Sequence, residues 1–157
     1  MPQRLDGIEA RPGRNGSDPG PGAVRPTVRA RAVPLDLVRL RASYQNGCAY
    51  CVNMHTKDAR AAGESEQRLY SVPVWREAPF FTERERVALT WTEAVTALGP
   101  EGVPETLFEE MLEAFGEKEL VQLTLAVVAI NCWNRLSIAL GNDVGSYEPG
   151  ALSVGTG

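Results

Sequence analysis

The sequence predicts an all-α fold, and three observations carry that prediction. From Leu35 onward apolar residues recur at three- and four-residue spacing. Glycines and prolines cut the pattern into helix-length blocks, and no stretch holds the two-residue alternation of a half-buried strand. The chain has 157 residues, 43% hydrophobic and 23% charged, which suits one domain with a core of its own.

Residues 1–34 stand apart. They hold 11 Pro or Gly residues and six Arg against three acids, so this segment carries +3 and the remainder −7. Pro and Gly at that density oppose helix and strand alike, and the expectation is a disordered arm. Its basic charge also permits docking on an acidic partner or a neighbouring subunit.

The helices follow in order. Leu35 to about Gln45 sets Leu37, Leu40 and Ala42 among arginines, and Asn46-Gly47 breaks it. A second helix starts at about Cys48 and stops at Gly63, where glycine suits the left-handed residue after a helix. Ser65 to Ser71 is a short helix halted before Pro73, and Val74 to Phe81 reads as a loop with one turn. In that loop Trp75, Phe80 and Phe81 either pack or line a pocket. Thr82-Glu83-Arg84-Glu85 fits a capping box for a helix to Leu98. Pro104 opens the next, which ends at Gly116. The last helix, about Glu117 to Leu140, is apolar on more than one stripe, so burial on several sides is expected. Cys132, Trp133, Leu136 and Leu140 are assigned to the core on that ground. The acids Glu109, Glu110 and Glu113 read as a solvated face, and residues 142–157 as a loose tail.

Composition narrows the function classes. A net charge of −4 without a Lys/Arg cluster gives no footprint for nucleic acid. No apolar run approaches the ~18 residues of a membrane span, and the first 30 residues lack the apolar stretch of a signal peptide. The expectation is a cytoplasmic protein without membrane contact. Three cysteines are too few for a secreted disulfide framework.

The chemistry concentrates in Cys48-Ala-Tyr-Cys51-Val-Asn-Met-His55, which contains the single histidine of the chain. At about 100° per residue, Cys48, Cys51 and His55 share a helix sector of roughly 60°. A thiolate is the attacking form of cysteine, and a helix N-terminus or a neighbouring base favours it. Cys48 in the first turn meets unpaired backbone N–H groups, and His55 lies at i+4 from Cys51, where it can take its proton. The leading reading is a thiol redox pair needing no cofactor. The alternatives are a zinc module built from Cys48, Cys51, His55 and Asp36, which would supply four ligands, and an oligomeric interaction protein with a degenerate site.

The stretch from Leu37 to Gly63, together with Trp75-Arg-Glu-Ala-Pro-Phe-Phe81, Thr82 to Leu98 and Ala129-Ile-Asn-Cys-Trp-Asn-Arg-Leu136, resembles the alkylhydroperoxidase D-like branch of the carboxymuconolactone decarboxylase family. The resemblance covers about residues 35–141. It implies a compact all-α domain with the CxxC at a helix N-terminus, a homo-oligomer (trimer or hexamer), and a peroxidase or thiol–disulfide oxidoreductase. It further implies a hydroperoxide substrate and a thiol or dithiol reductant. By that resemblance Cys51 attacks the peroxide, Cys48 resolves it, and His55 relays protons with a carboxylate twelve residues before Cys48. That position holds Asp36 where the family has glutamate, and Tyr50 stands where some relatives have a second relay histidine. The Pro/Gly-rich residues 7–31 occupy the place of a family helix.

Overall fold

A computed structural model of the chain describes residues 35–149. Helix α1 spans Leu35–Asn46, α2 Ala49–Ala61, α3 Glu66–Ser71, α4 Glu83–Thr96 and α5 Glu105–Leu140, with a 3₁₀ turn over Val72–Val74 between α3 and α4. No strand occurs among the described residues. The fold is all-α, as the spacing predicts. The expected arm of residues 1–34 lies outside the described residues.

Local chemistry explains most boundaries. Gly47, at φ +70°, lets the chain leave α1, and the Cys48 N–H donates back to the Ser43 carbonyl at 3.0 Å. Thr82 and Glu85 form the capping box of α4 in full: the Thr82 hydroxyl accepts from the Glu85 N–H, and the Glu85 carboxylate accepts from the Thr82 N–H at 2.8 Å. At Gly116, φ 68° and ψ 168°, α5 breaks into the two expected segments.

Helix α1 is the centre. It packs against α2, α4 and α5, and Leu37, Val38, Leu40 and Ala42 are fully buried. Leu37, Leu40, Leu69, Val72, Trp75, Phe81 and Leu89 form the main apolar cluster, so Trp75 and Phe81 pack in the core. A second cluster gathers Ala42, Cys48, Cys51 and Ile130, and this one positions the CxxC motif between α1 and α5. The loop of residues 73–81 is held by arginines: Arg86 donates to the Trp75 carbonyl at 3.3 Å and to the carbonyl of Ala78, while Glu93 receives Arg41 at 2.6 Å and the Trp75 indole N–H at 2.8 Å.

Three expectations are corrected. Cys132, Trp133, Leu136 and Leu140 are not core residues; all are exposed, Trp133 by 62% and Leu140 by 75%. Past Leu120, Leu123 and Val127, the buried stripe of α5 continues through Ile130 into Asn131, Asn134 and Ser137. These polar side chains face inward because they have partners there. Asn46 Nδ2 donates to Asn131 Oδ1 at 2.8 Å and to Asn134 Oδ1 at 2.9 Å, and Asn134 Nδ2 donates to Ser43 Oγ at 3.0 Å. A satisfied polar network can occupy an interior position at little cost, and it turns the apolar side chains outward. Second, α5 is long and apolar enough to cross a membrane by length and composition, with a window of mean hydropathy 1.5, contrary to the expectation that no such run exists. Third, of the tail expected to be loose, residues 142–149 are held: Tyr147 is buried, its hydroxyl donates to Asp58 Oδ1 at 2.7 Å, and Lys57 Nζ donates to its carbonyl at 2.5 Å, while residues 150–157 lie outside the described residues.

Candidate functional site

The CxxC motif sits where α1 hands over to α2. Cys48 is the N-cap of α2, with extended backbone (φ −84°, ψ 94°), and its sulfur accepts the backbone N–H of Cys51 at 3.3 Å. A cysteine thus stands where serine or aspartate usually caps a helix. Both thiols are free and 1% exposed. The Cys51 thiol donates to the Ser137 hydroxyl of α5 at 3.7 Å.

A cavity of about 480 Å³ opens beside them, lined by Arg39 of α1, by Tyr50, Cys51, Met54 and His55 of α2, and by Ile130, Trp133 and Ser137 of α5 among others. Cys51 and His55, one turn apart, both reach its wall, whereas Cys48 lies behind it. Of the two buried cysteines, Cys51 lines the cavity and Cys48 does not.

His55 is 93% buried (7% exposed), yet neither ring nitrogen has a hydrogen-bond partner. Buried polar groups normally find partners, and an imidazole on a cavity wall can bond a molecule that enters. Burial lowers its pKa from the ordinary 6.5, and Arg39 adds to the effect, while Asp36 and Asp58 oppose it more weakly. His55 is therefore neutral at pH 7, one nitrogen donating and the other accepting. The expected Asp36–His55 hydrogen bond is not made. Asp36 instead accepts from Arg39 Nη1 at 3.0 Å, and burial outweighs its upward pull on the imidazole.

Cys51 is pushed up from its ordinary value, chiefly by burial and next by its neighbour Cys48; hydrogen bonds from Asn134 and Ser137 pull the other way. At rest both partners are uncharged, a thiol and an imidazole. Among the described residues no three His, Cys, Asp or Glu side chains come together as a metal site needs, so the zinc alternative finds no ligand set here.

The structure thus sets Cys51 and His55 on one cavity wall with Cys48 at the start of the same helix, and Asp36 pairs with Arg39. Sequence reasoning missed Arg39, Ser137 and Asn134. Ser137 and Asn134 lie more than 80 residues along the chain from the motif, and their sole sequence signal was polar residues at helical spacing within an apolar helix.

Comparison with known proteins identifies the family. The profile of the carboxymuconolactone decarboxylase family matches residues 35–94. The chain is similar to the uncharacterized protein YdfG of Bacillus subtilis (strain 168), 42% identical over 111 residues that span 71% of this chain and 76% of YdfG. It is 29% identical over 112 residues to the uncharacterized protein YnjA of Escherichia coli (strain K12), spanning 68% of this chain and 61% of YnjA. A crystal structure from Agrobacterium tumefaciens, of a protein of unknown function named as a candidate antioxidant defence protein AhpD, superimposes with a TM-score of 0.69 at 42% identity, covering 72% of this chain and 77% of that one. Sequence, fold and the placement of the CxxC motif together make this chain a member of the carboxymuconolactone decarboxylase family, in its AhpD-like branch.

Proposed function

We propose that the protein is a thiol peroxidase that reduces hydroperoxides through Cys51 and Cys48. The observation that supports this most is the shared cavity wall: a thiol and a neutral, unpartnered imidazole one helical turn apart, facing the same space. A hydroperoxide entering there meets both. His55 accepts the Cys51 proton, and the thiolate attacks the distal peroxide oxygen. The O–O bond breaks, sulfur is oxidised by two electrons to a sulfenic acid, and the departing alkoxide takes the proton back from His55 as an alcohol.

Cys48 then closes the cycle. Its sulfur accepts the Cys51 backbone N–H at the start of α2. Once deprotonated, it attacks the Cys51 sulfur, and the hydroxide that leaves takes up the Cys48 proton as water, giving a Cys48–Cys51 disulfide. Because Cys51 faces the cavity and Cys48 does not, a dithiol reductant attacks the disulfide at Cys51. Cys48 leaves and is reprotonated to the thiol, and the reductant's second thiol resolves the mixed disulfide. Asp36 is bonded to Arg39 and acts on His55 by charge alone.

Thiol counting tests the proposal. One equivalent of an organic hydroperoxide should consume Cys48 and Cys51 and spare the exposed Cys132, leaving one of three titratable thiols. Three thiols surviving excess hydroperoxide would end the peroxidase reading.

A further inference from the structure

We propose that Ser137, held in place by Asn142, is the hydrogen-bond donor that stabilises the Cys51 sulfur once it has lost its proton. The inference rests on Cys51 being the reacting thiol, and it adds a residue from the opposite helix that the motif does not contain.

The case begins with what Ser137 does not do. Helix-borne hydroxyls commonly turn back onto the carbonyl four residues earlier, and this chain follows the habit. Ser43 donates to the Arg39 carbonyl at 2.7 Å, Ser71 to Gln67 at 2.7 Å, Thr90 to Arg86 at 2.9 Å, Thr92 to Ala88 at 2.7 Å and Thr124 to Leu120 at 2.7 Å. Ser137, buried in the last turn of the same helix as Thr124, makes no such bond. Its oxygen accepts twice, from the Cys51 thiol at 3.7 Å and from Asn142 Nδ2 at 3.1 Å.

The second contact is built by the end of α5. Gly141 takes the left-handed conformation (φ 67°, ψ 47°) and its N–H bonds the Ser137 carbonyl, which turns the chain back on the helix. The Asn142 N–H then donates to that same carbonyl at 3.1 Å while its side-chain amide donates to the Ser137 hydroxyl. Asn142 is a positioning residue. By occupying one lone pair of the hydroxyl oxygen, it leaves the hydroxyl hydrogen to be aimed at the sulfur.

Loss of the Cys51 proton reverses the direction of one bond. The thiol that donated becomes an anion that can only accept, and the Ser137 hydroxyl rotates its hydrogen toward it. Bonds to ionised acceptors are roughly twice as strong as neutral ones, so this contact gains strength in the state that attacks a peroxide. Other groups around the sulfur act differently. From α2 it faces Cys48, Tyr50 and His55, from α1 Arg39 (itself paired to Asp36), and α5 brings no charged side chain to the cavity wall. The burial that raises the thiol is thus opposed from α5 by hydrogen bonding alone.

Alkylation of the full chain by iodoacetamide across a range of pH, read at Cys51 by peptide mass spectrometry, tests this without any peroxide. The exposed Cys132 of the same molecule is the internal standard. Ser137→Ala should move the Cys51 midpoint upward by about one pH unit, roughly a tenfold loss of thiolate at neutral pH, with Cys132 unmoved. Ser137→Thr, which keeps the hydroxyl, should restore most of the shift, and Asn142→Ala should move the midpoint in the same direction by less. A Ser137→Ala midpoint equal to the parent's overturns the proposal, as does a shift of Cys51 and Cys132 together. If Ser137→Ala does not fold, an Asn142→Ala variant whose Cys51 midpoint stays put overturns it equally. Because no peroxide is used, the result stands apart from the thiol count that decides whether the protein is a peroxidase.

Discussion

At the scale of single residues, Cys51 and His55 make distinct, measurable demands on pH. Burial raises Cys51, so the thiolate is a minor species at pH 7. Because neutral His55 takes the proton from neutral Cys51, the rate of peroxide reduction should be near level from pH 6.5 to 8 and fall in acid as His55 is protonated; a climb of close to tenfold per unit across that range would show that His55 does not act as the base. Cys51→Ser should abolish turnover, Cys48→Ser should stop at a sulfenic acid that dimedone can trap, and His55→Ala should slow the first step by roughly 10²–10⁴-fold. Asp36→Asn should have little effect, since its carboxylate bonds Arg39 and not His55. His55 also writes itself into stability. Its folded pKa lies below the 6.5 of the unfolded chain, so below 6.5 the unfolded state binds the extra proton first. Stability should fall on acidification from pH 6.5 down to the lowered pKa, and His55→Asn should flatten that part of a denaturation profile.

Among the elements, α4 and α5 show opposite relations between local signal and structure. The start of α4 is specified by neighbours in sequence, a capping box from Thr82 to Glu85. The carboxylate of Glu85 is also gripped by Arg68 Nη2 at 2.6 Å; burial works to raise its pKa, but the bonds from Arg68 and Thr82 overcome this and hold it below the usual carboxylate value. Thr82→Ala should cost about 1 kcal/mol in a urea unfolding series. Such short-range chemistry, with the glycine stops at Gly47, Gly63, Gly116 and Gly141, made the helix borders legible in the sequence. The facing of α5 was not legible. A helix apolar all round offers several stripes to bury, and the choice was made by partners on α1 and α2: Asn46 for Asn131 and Asn134, Ser43 for Asn134, Cys51 for Ser137. Cys48, Cys51 and His55 could be found because one helix carries them; Ser137 could not, because tertiary packing alone brings it to the sulfur.

For the whole molecule, the outward face of α5 is the unresolved demand. Leu125, Val128, Trp133, Leu136 and Leu140 are each 44–75% exposed on one helix. Contiguous apolar surface of this kind marks an interaction surface, and the homo-oligomer expected from the family resemblance predicts that a second copy of this chain covers it. Light scattering at micromolar concentration should give a mass above one chain, and Val128→Glu should lower it. A monomer in the parent protein would remove this assignment.

The cysteine that caps α2 ties a reacting atom to backbone order. In the reduced protein the Cys48 sulfur holds the amide of Cys51 at 3.3 Å; in a Cys48–Cys51 disulfide that sulfur is bonded to its neighbour and is a poorer acceptor. The amide of Cys51 becomes a gauge of oxidation state, readable by hydrogen–deuterium exchange: slow while both thiols are free, faster once they are joined, and slow again after reduction. The first turn of α2 would loosen and tighten with each catalytic cycle, and any reductant that recognises a frayed helix end would find it in the oxidised protein alone.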